Sequence, residues 1–228
     1  MVMARTEVVI ALDSGRLDEA MRVIEATRDR VGFYKVGSIL FTSAGPKAVE
    51  AVRSCGKQVF LDLKFHDIPN TVMGAVGAAA AMGVYMLTVH CAGGVEMMRA
   101  ALEGAGRGPE RPRIIGVTVL TSLAAGGDTF ARVLSHARSA AEAGIDGIVC
   151  SPLEVNHVKR TYGEKLLAVV PGIRLGDQGT DDQARVGTPG QAVRDGADFI
   201  VVGRSVTGAQ DPSGTLIKVL EDIDGARR

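Results

Sequence analysis

A repeated junction between a helical stretch and an apolar run constrains the possible folds of this chain most strongly. The junction occurs at Gly83, Gly144 and Gly196, where each glycine follows an alanine-containing stretch and precedes a run of aliphatic and β-branched residues. A glycine that ends a helix just before such a run is typical of a helix leading into a buried parallel strand. The repetition therefore predicts a chain built from successive strand–helix units.

Apolar runs bounded by turn residues extend this pattern and predict eight strands, at residues 8–13, 33–37, 58–64, 86–90, 113–120, 147–151, 166–172 and 199–204. Helical patterns fill the intervals, at residues 17–30, 46–54, 70–82, 95–102, 129–143, 153–162, 189–194 and 213–225. Eight alternating units predict an α/β fold, a (β/α)8 TIM barrel, and we expect residues 1–228 to form a single domain. A doubly wound sheet is the alternative, although no Gly-x-Gly-x-x-Gly motif follows the first strand.

The charge balance argues against two broad classes of partner. The chain carries 26 basic and 26 acidic residues, and only 4% of its residues are aromatic. We therefore expect no general attraction to nucleic acid or to anionic membranes. The uncharged stretch at residues 72–89 is long enough to suggest a membrane span, but Gly83 divides it, so we interpret it as a helix followed by a strand.

The cysteines and the N-terminus favour a reducing compartment. Cys55, Cys91 and Cys150 are odd in number and far apart, which argues against a disulfide framework and against a Cys-x-x-Cys metal site. The apolar run near the N-terminus is too short for the core of a signal peptide. We expect a cytoplasmic protein.

Charged residues gather where three consecutive strands are predicted to end. Asp62 and Lys64 lie two positions apart on the third strand and share one face of it, and Asp67 follows shortly after. Asp13 and Lys35 occur on the first and second strands. Catalytic residues of barrels gather at the carboxyl ends of strands, and buried charges are costly unless they are paired or used. We predict a catalytic cluster here; the alternative is a set of salt bridges that closes the top of the barrel.

A second candidate site lies after strands seven and eight. Arg174 follows strand seven in a Pro-Gly-Ile-Arg phrase, and Gly203 and Arg204 end strand eight. Barrels often bind phosphate at this position through glycine backbone amides, and a guanidinium group suits phosphate oxygens. Gln183 lies in the long Gly- and Asp-rich loop between the two strands, which is a candidate lid, and Thr121 offers a hydroxyl after strand five. The alternative is a turn with a surface arginine.

Seven segments of this chain, taken together, resemble the orotidine 5′-monophosphate decarboxylase family in its compact bacterial form. They occur in order across nearly the whole chain, at residues 11–13, 35–37, 60–69, 117–122, 171–174, 182–183 and 202–205. An Asp-x-Lys-x-x-Asp core is shared with a wider phosphosugar superfamily. The Asp-Ile-Pro continuation and the Pro-Gly-Ile-Arg and Val-Gly-Arg-Ser phrases make the resemblance specific.

The resemblance implies conversion of orotidine 5′-monophosphate (OMP) to uridine 5′-monophosphate (UMP) in pyrimidine biosynthesis, with no metal and no other cofactor. It implies that Lys64 protonates C6 of the pyrimidine and that Asp62 lies beside the departing carboxylate. Lys35 would tie the charged network to the ribose, and Asp13 would bind a ribose hydroxyl. Thr121 would read the edge of the pyrimidine.

The resemblance also implies a phosphate site and a shared active site. The phosphate would be held by Arg174, Gln183, Gly203 and Arg204. Asp67 would reach into the site of a neighbouring subunit, and Thr71 would assist at the ribose across the same interface. The protein would then be a homodimer with two shared sites.

Two other functions compete with this one. A magnesium-dependent decarboxylase or aldolase acting on a keto-sugar phosphate could use the same scaffold, but it would need a metal-binding carboxylate on strand two, where this chain has Lys35. A catalytically silent phosphosugar-binding protein is the second competitor, and the complete set of charges argues against it.

Overall fold

Eight parallel strands close into a barrel in the computed structural model, which describes residues 6–108, 110–122, 127–176 and 185–227. Each strand pairs with the next along the chain, and the last strand pairs with the first, with Val201 opposite Val9. The strands are β1 (Glu7–Leu12), β2 (Phe33–Gly37), β3 (Gln58–Phe65), β4 (Met86–His90), β5 (Arg113–Val117), β6 (Gly147–Val149), β7 (Leu167–Val170) and β8 (Phe199–Val202). The closed order confirms the predicted TIM barrel and excludes the doubly wound sheet.

Helices surround the barrel and connect its strands. They are α1 (Leu17–Thr27), α2 (Ser38–Ala44), α3 (Pro46–Ser54), α4 (Pro69–Ala81), α5 (Gly94–Ala105), α6 (Gly127–Ala143), α7 (Val155–Tyr162), α8 (Pro189–Arg194), α9 (Arg204–Thr207) and α10 (Pro212–Ala226). Two 3₁₀ turns lie at Cys91–Gly93 and Gly163–Lys165. The sequence predicts neither α2 nor α9, which are short and begin directly after strands β2 and β8.

Several strands end earlier than their apolar pattern suggests. Strand β5 stops at Val117, yet Val119 beyond it is still buried, with 6% of its surface exposed. The apolar run therefore continues into a loop that turns over the barrel mouth, where burial no longer depends on strand pairing. Hydrophobic pattern reports burial, so it overestimates the length of a strand whose last residues leave the sheet.

The core has two layers, one between the sheet and the helices and one inside the barrel. At the amino-terminal end of the barrel, the ring of Phe33 meets the ring of Tyr85 edge-on at 4.9 Å and that of Phe199 at 5.5 Å. This cluster fills that end of the barrel with apolar side chains. Open space is left at the opposite end, where the strands finish.

The stretch at residues 72–89 forms most of helix α4 and strand β4, as the sequence predicts. Across the described parts of the chain, no helix has both the length and the apolar character that a membrane crossing requires. Cys55, Cys91 and Cys150 are all free thiols, so none of them takes part in a disulfide.

Candidate active site

A cavity of about 500 Å³ opens at the carboxyl end of the barrel. Among the described residues, its lining comes from the region of every strand except β4, so residues that are distant in sequence face one space. Eight of the residues singled out from the sequence line it: Asp13, Lys35, Asp62, Lys64, Thr121, Arg174, Gly203 and Arg204. The two candidate sites of the sequence therefore face a single pocket.

A continuous chain of ion pairs runs across the first three strands. The Nζ atom of Lys64 lies 2.8 Å from Oδ2 of Asp62, and Nζ of Lys35 lies 3.5 Å from the same oxygen. Lys35 also donates a hydrogen bond of 2.9 Å to Oδ1 of Asp13. The inner pair is well buried, with 11% of the Lys35 side chain and 12% of the Asp62 side chain exposed. Lys64 and Asp13, at the two ends of the chain, are more open to the cavity.

The ion pairs keep the inner groups charged in spite of their burial. Burial alone acts to raise the pKa of Asp62, but the ammonium groups of Lys35 and Lys64 outweigh it and hold the pKa below its ordinary value. Burial likewise acts to lower the pKa of Lys35, and the carboxylates of Asp62 and Asp13 together raise it above its ordinary value. Fixed charges of both signs are thus maintained side by side in the buried part of the site at neutral pH.

The backbone departs from regular strand geometry at Lys64. Its φ angle is +53°, which makes it the one non-glycine residue with positive φ in the part of the chain that the structure describes. The register between β3 and β4 shifts there, because Leu61 pairs with Leu87 while Phe65 pairs with Val89. The prediction that Asp62 and Lys64 face the same space is confirmed, although a bulge rather than simple strand alternation brings Lys64 there.

Thr88, on strand β4, supports this bulge and was not predicted from the sequence. Its hydroxyl donates a hydrogen bond of 3.0 Å to Oδ1 of Asp62 and accepts one of 2.8 Å from the backbone N–H of Lys64. The only signal in the sequence is the spacing of Thr88 from Met86. The side chain of Met86 faces the barrel interior, and residues two positions apart on a strand share a face.

Gly37 at the end of β2 leaves room for the ion pair beside it. A Cβ atom added there would lie 2.9 Å from Nζ of Lys35 and 3.1 Å from Oδ1 of Asp13. Such distances are too short, so a larger residue would displace the two charged groups. Gly203 is different, because a Cβ there would meet only ordinary contacts, at 3.7 Å from Ala11 and 3.9 Å from Asp13. A glycine at this position therefore leaves the backbone open to close approach by a molecule in the cavity.

The part of the pocket where the sequence predicts phosphate binding is only partly described. Arg174, Gly203 and Arg204 line the cavity on the side of strands β7 and β8. Gln183 lies outside the described residues, so its predicted contact stays a prediction. Asp67 and Thr71 are exposed and are not among the described residues that line the cavity. Their predicted role in a neighbouring subunit's site likewise stays a prediction.

Apolar side chains form much of the cavity wall, including Phe60, Val117, Val149, Val169 and Val201. These side chains belong to inward-facing positions of the strands. Because apolar side chains offer water no hydrogen bonds and lower the local dielectric, electrostatic interactions beside this wall are stronger than they would be in bulk solvent.

A buried arginine that was not predicted from the sequence lies behind the segment at Val119 and Leu120, which lines the pocket. The Arg185 side chain is fully buried, forms an ion pair with Glu154, and donates hydrogen bonds of 3.0 Å to the carbonyl oxygens of Val119 and Leu120. Leu120 immediately precedes Thr121. The arginine thus ties the chain at residue 185 to the segment that leads into Thr121, which is predicted to read the edge of the pyrimidine. In sequence, nothing distinguishes it from a surface arginine.

Comparison with known proteins agrees with this geometry. Residues 6–219 match the sequence model of the "Orotidine 5'-phosphate decarboxylase / HUMPS family". An orotidine 5'-phosphate decarboxylase from Anaeromyxobacter sp. (strain K) is 50% identical over 211 residues, which cover 89% of this chain and 92% of the relative. The enzyme of that name from Nitratidesulfovibrio vulgaris is 45% identical over 233 residues, covering 97% of this chain and 99% of the relative.

The fold is also shared with a solved structure. The crystal structure of orotidine 5'-phosphate decarboxylase from Lactobacillus acidophilus superposes with a TM-score of 0.83 and 33% sequence identity. The match covers 96% of this chain and 99% of that one. The family model matches most of this chain, and the two relatives named above are 45% and 50% identical to it. The chain therefore belongs to the orotidine 5'-phosphate decarboxylase / HUMPS family.

Proposed function

We propose that this protein is a carboxy-lyase that converts OMP to UMP in de novo pyrimidine biosynthesis. The observation that carries the proposal is the unbroken chain of ion pairs from Lys64 through Asp62 and Lys35 to Asp13, held at the mouth of a barrel. Relatives named orotidine 5'-phosphate decarboxylase, at 43% to 50% identity, support the same activity.

The reaction requires what this pocket supplies. When the bond between C6 and the carboxylate breaks, carbon dioxide leaves and the electron pair stays on C6, in an orbital that the ring π-system cannot stabilise. The Lys64 ammonium opposes this developing negative charge and donates its proton to C6, which gives UMP. A fixed charge in a site without water stabilises such a transition state because no solvent has to reorganise.

The other charged residues prepare Lys64 for that step. Asp62 holds the Lys64 ammonium in place by an ion pair. In the proposed complex Asp62 also lies beside the substrate carboxylate. Lys35 links Asp62 to Asp13 and ties this network to the ribose. Asp13 binds a ribose hydroxyl, and Thr121 binds the pyrimidine edge.

The phosphate supplies binding energy at a distance from the reacting carbon. Arg174, Gly203 and Arg204, together with Gln183, would hold it at the other end of the cavity. The most proficient enzymes lower barriers by about 20 kcal/mol, which is more than one lysine provides. Binding energy from a remote group can be used to order the site around the transition state.

We also propose that the protein is a homodimer whose sites are shared. Asp67 and Thr71 lie on the exposed segment between β3 and the first turn of α4. Ile68 lies between them with 67% of its surface exposed, and the partner subunit would cover it in the proposed dimer. Asp67 and Thr71 would then complete the partner's site. A single domain and a cytoplasmic location complete the proposal, the latter supported by the three free cysteines.

The magnesium-dependent alternative is not favoured by the pocket. Lys35 places its ammonium between the carboxylates of Asp13 and Asp62, which is where a divalent cation would otherwise be attracted. Within the described residues, no group of three histidine, cysteine or acidic side chains is arranged to hold a metal ion.

One assay tests the proposal. Purified protein is mixed with OMP, and the loss of orotidylate absorbance is followed with and without EDTA. Rapid conversion that EDTA leaves unchanged is the expected result. No conversion of OMP, or conversion that EDTA abolishes and magnesium restores, would overturn the proposal.

A further inference from the structure

Thr88 is the single residue of β4 that lies opposite the bulge in β3. Leu61 pairs with Leu87 and Phe65 pairs with Val89, so residues 62–64 on one strand face Thr88 alone on the other. Thr88 has no exposed surface and is absent from the described residues that line the cavity. It therefore contacts the charged residues from behind and does not touch the substrate.

The hydrogen bonds of Thr88 have fixed directions. A carboxylate can only accept, so the Thr88 hydroxyl donates its one proton to Oδ1 of Asp62, at 3.0 Å. A backbone N–H can only donate, so Lys64 donates to a lone pair of the same hydroxyl, at 2.8 Å. One hydroxyl thus ties the side chain of Asp62 to the backbone of Lys64, and leaves Oδ2 of Asp62 for the two lysine ammoniums.

We propose, building on the decarboxylase function proposed above, that Thr88 is a positioning residue that sets where the Lys64 ammonium points. A lysine with positive φ is strained and persists only where its surroundings hold it. The N–H of Lys64, turned out of the regular ladder by the bulge, finds its acceptor in Thr88. Without that acceptor, the strained conformation of Lys64 loses the hydrogen bond that stabilises it, and Asp62 loses the contact that orients its carboxylate.

The test replaces Thr88 by Val, which keeps the shape but removes the hydroxyl, and by Ser, which keeps the hydroxyl. For Thr88→Val we expect kcat to fall by about 10- to 100-fold, as for a small misplacement of a catalytic group, with UMP affinity and KM nearly unchanged. Thr88→Ser should restore most of kcat. A normal kcat in Thr88→Val, or a Ser variant that is folded but equally impaired, would overturn the proposal.

Thr27 provides a matched control for the loss of a buried hydroxyl. It has 1% of its surface exposed and bonds to Val23 and Tyr34, outside the pocket. Thr27→Val should lower the melting temperature and leave kcat unchanged. If Thr88→Val does not fold, Thr88→Cys carries the test, since it keeps a side chain of similar size with only a weak donor.

A crystal structure of Thr88→Val separates this proposal from the proposed reaction. We expect the φ angle of Lys64 to leave the positive region, or its Nζ to move away from Asp62. An unchanged Lys64 in that structure would overturn the positioning role, whatever reaction the protein catalyses. Failure of the wild-type protein to convert OMP would instead overturn the proposed function, and the structural result would still stand.

Discussion

The Nζ atom of Lys64 lies 2.8 Å from Oδ2 of Asp62, so the proposed proton donor is already paired with the carboxylate that would face the leaving group. Asp62 is the better buried of the two, and the Lys64 side chain remains 36% exposed. The carboxylate is therefore the fixed partner, and the lysine extends from it toward the cavity. The ion pair with Asp62 thus fixes where the amine lies in the cavity.

Removal of the Lys64 amine should separate catalysis from binding. For Lys64→Ala we expect kcat to fall by about 10⁴-fold, near the upper end for a single general acid. UMP should still bind within about tenfold of the wild-type affinity, because the phosphate and ribose contacts remain. Steady-state kinetics and calorimetric titration with UMP measure the two effects. Substantial residual turnover would show that another group protonates C6.

Removal of the Arg204 guanidinium, which is proposed to hold the phosphate, should slow the reaction although Arg204 does not contact the reacting carbon. We expect Arg204→Ala to lower kcat/KM for OMP by about 10- to 100-fold, the usual loss for one charged hydrogen-bonding group. Arg194→Ala is the matched control, because Arg194 is exposed on α8 and bonds to Gln191 in the same helix. The double variant Gln183→Ala with Arg204→Ala should lose more. Wild-type kinetics in that pair would contradict a role for remote phosphate binding.

A methyl group at Gly37 should disturb the ion pairs directly. The added Cβ of Gly37→Ala would lie 2.9 Å from Nζ of Lys35, so Lys35 or Asp13 has to move. We expect a loss of about 1–3 kcal/mol in the free energy of unfolding, together with lower kcat/KM. Gly32→Ala, where an added Cβ meets nothing within 4 Å, should leave both quantities near wild type. Equal behaviour of the two variants would show that the pocket tolerates the methyl group.

His90 should make the protein less stable in mild acid. Burial, and then the nearby His66 and Lys64, lower the pKa of His90 below its ordinary value of 6.5. The unfolded chain therefore takes up a proton more readily than the folded one, so stability falls as the pH drops below about 6.5. His90→Gln should flatten this dependence, measured as the free energy of unfolding between about pH 7.5 and about pH 5. An identical slope in the two proteins would assign the effect to other groups.

Removal of one partner from the buried pair of Arg185 and Glu154 should lower the free energy of unfolding more than removal of both partners. Arg185→Met leaves the Glu154 carboxylate buried beside Ser151 with its cation gone, and we expect a loss of about 3–5 kcal/mol in the free energy of unfolding. Adding Glu154→Gln to that variant should recover part of the loss. Denaturant titrations of the three proteins measure the coupling, and a double variant that is less stable still would contradict it.

The fold was predictable because its signals are local. Each strand is a short aliphatic run, and glycines such as Gly83 and Gly144 mark the ends of helices. Strand ends were less predictable, since Val119 is buried without being paired. Helix α2 has seven residues, too few to show a clear helical period.

The candidate site was predictable only where its residues are unusual in sequence. Asp62 and Lys64 are charged residues at the end of an apolar run, and this pattern by itself indicates a functional site. Thr88 is an ordinary strand residue, and Arg185 follows a polar stretch of sequence, as many surface arginines do. Their importance comes from a strand register and a burial that arise only in three dimensions.

The aromatic cluster of Phe33, Tyr85 and Phe199 has a consequence for the order of events during turnover. Because these rings fill the end of the barrel away from the cavity, the carboxyl-end mouth is left as the passage for both incoming nucleotide and departing gas. Carbon dioxide that is released in the cavity then leaves either past the bound nucleotide or after the nucleotide has dissociated.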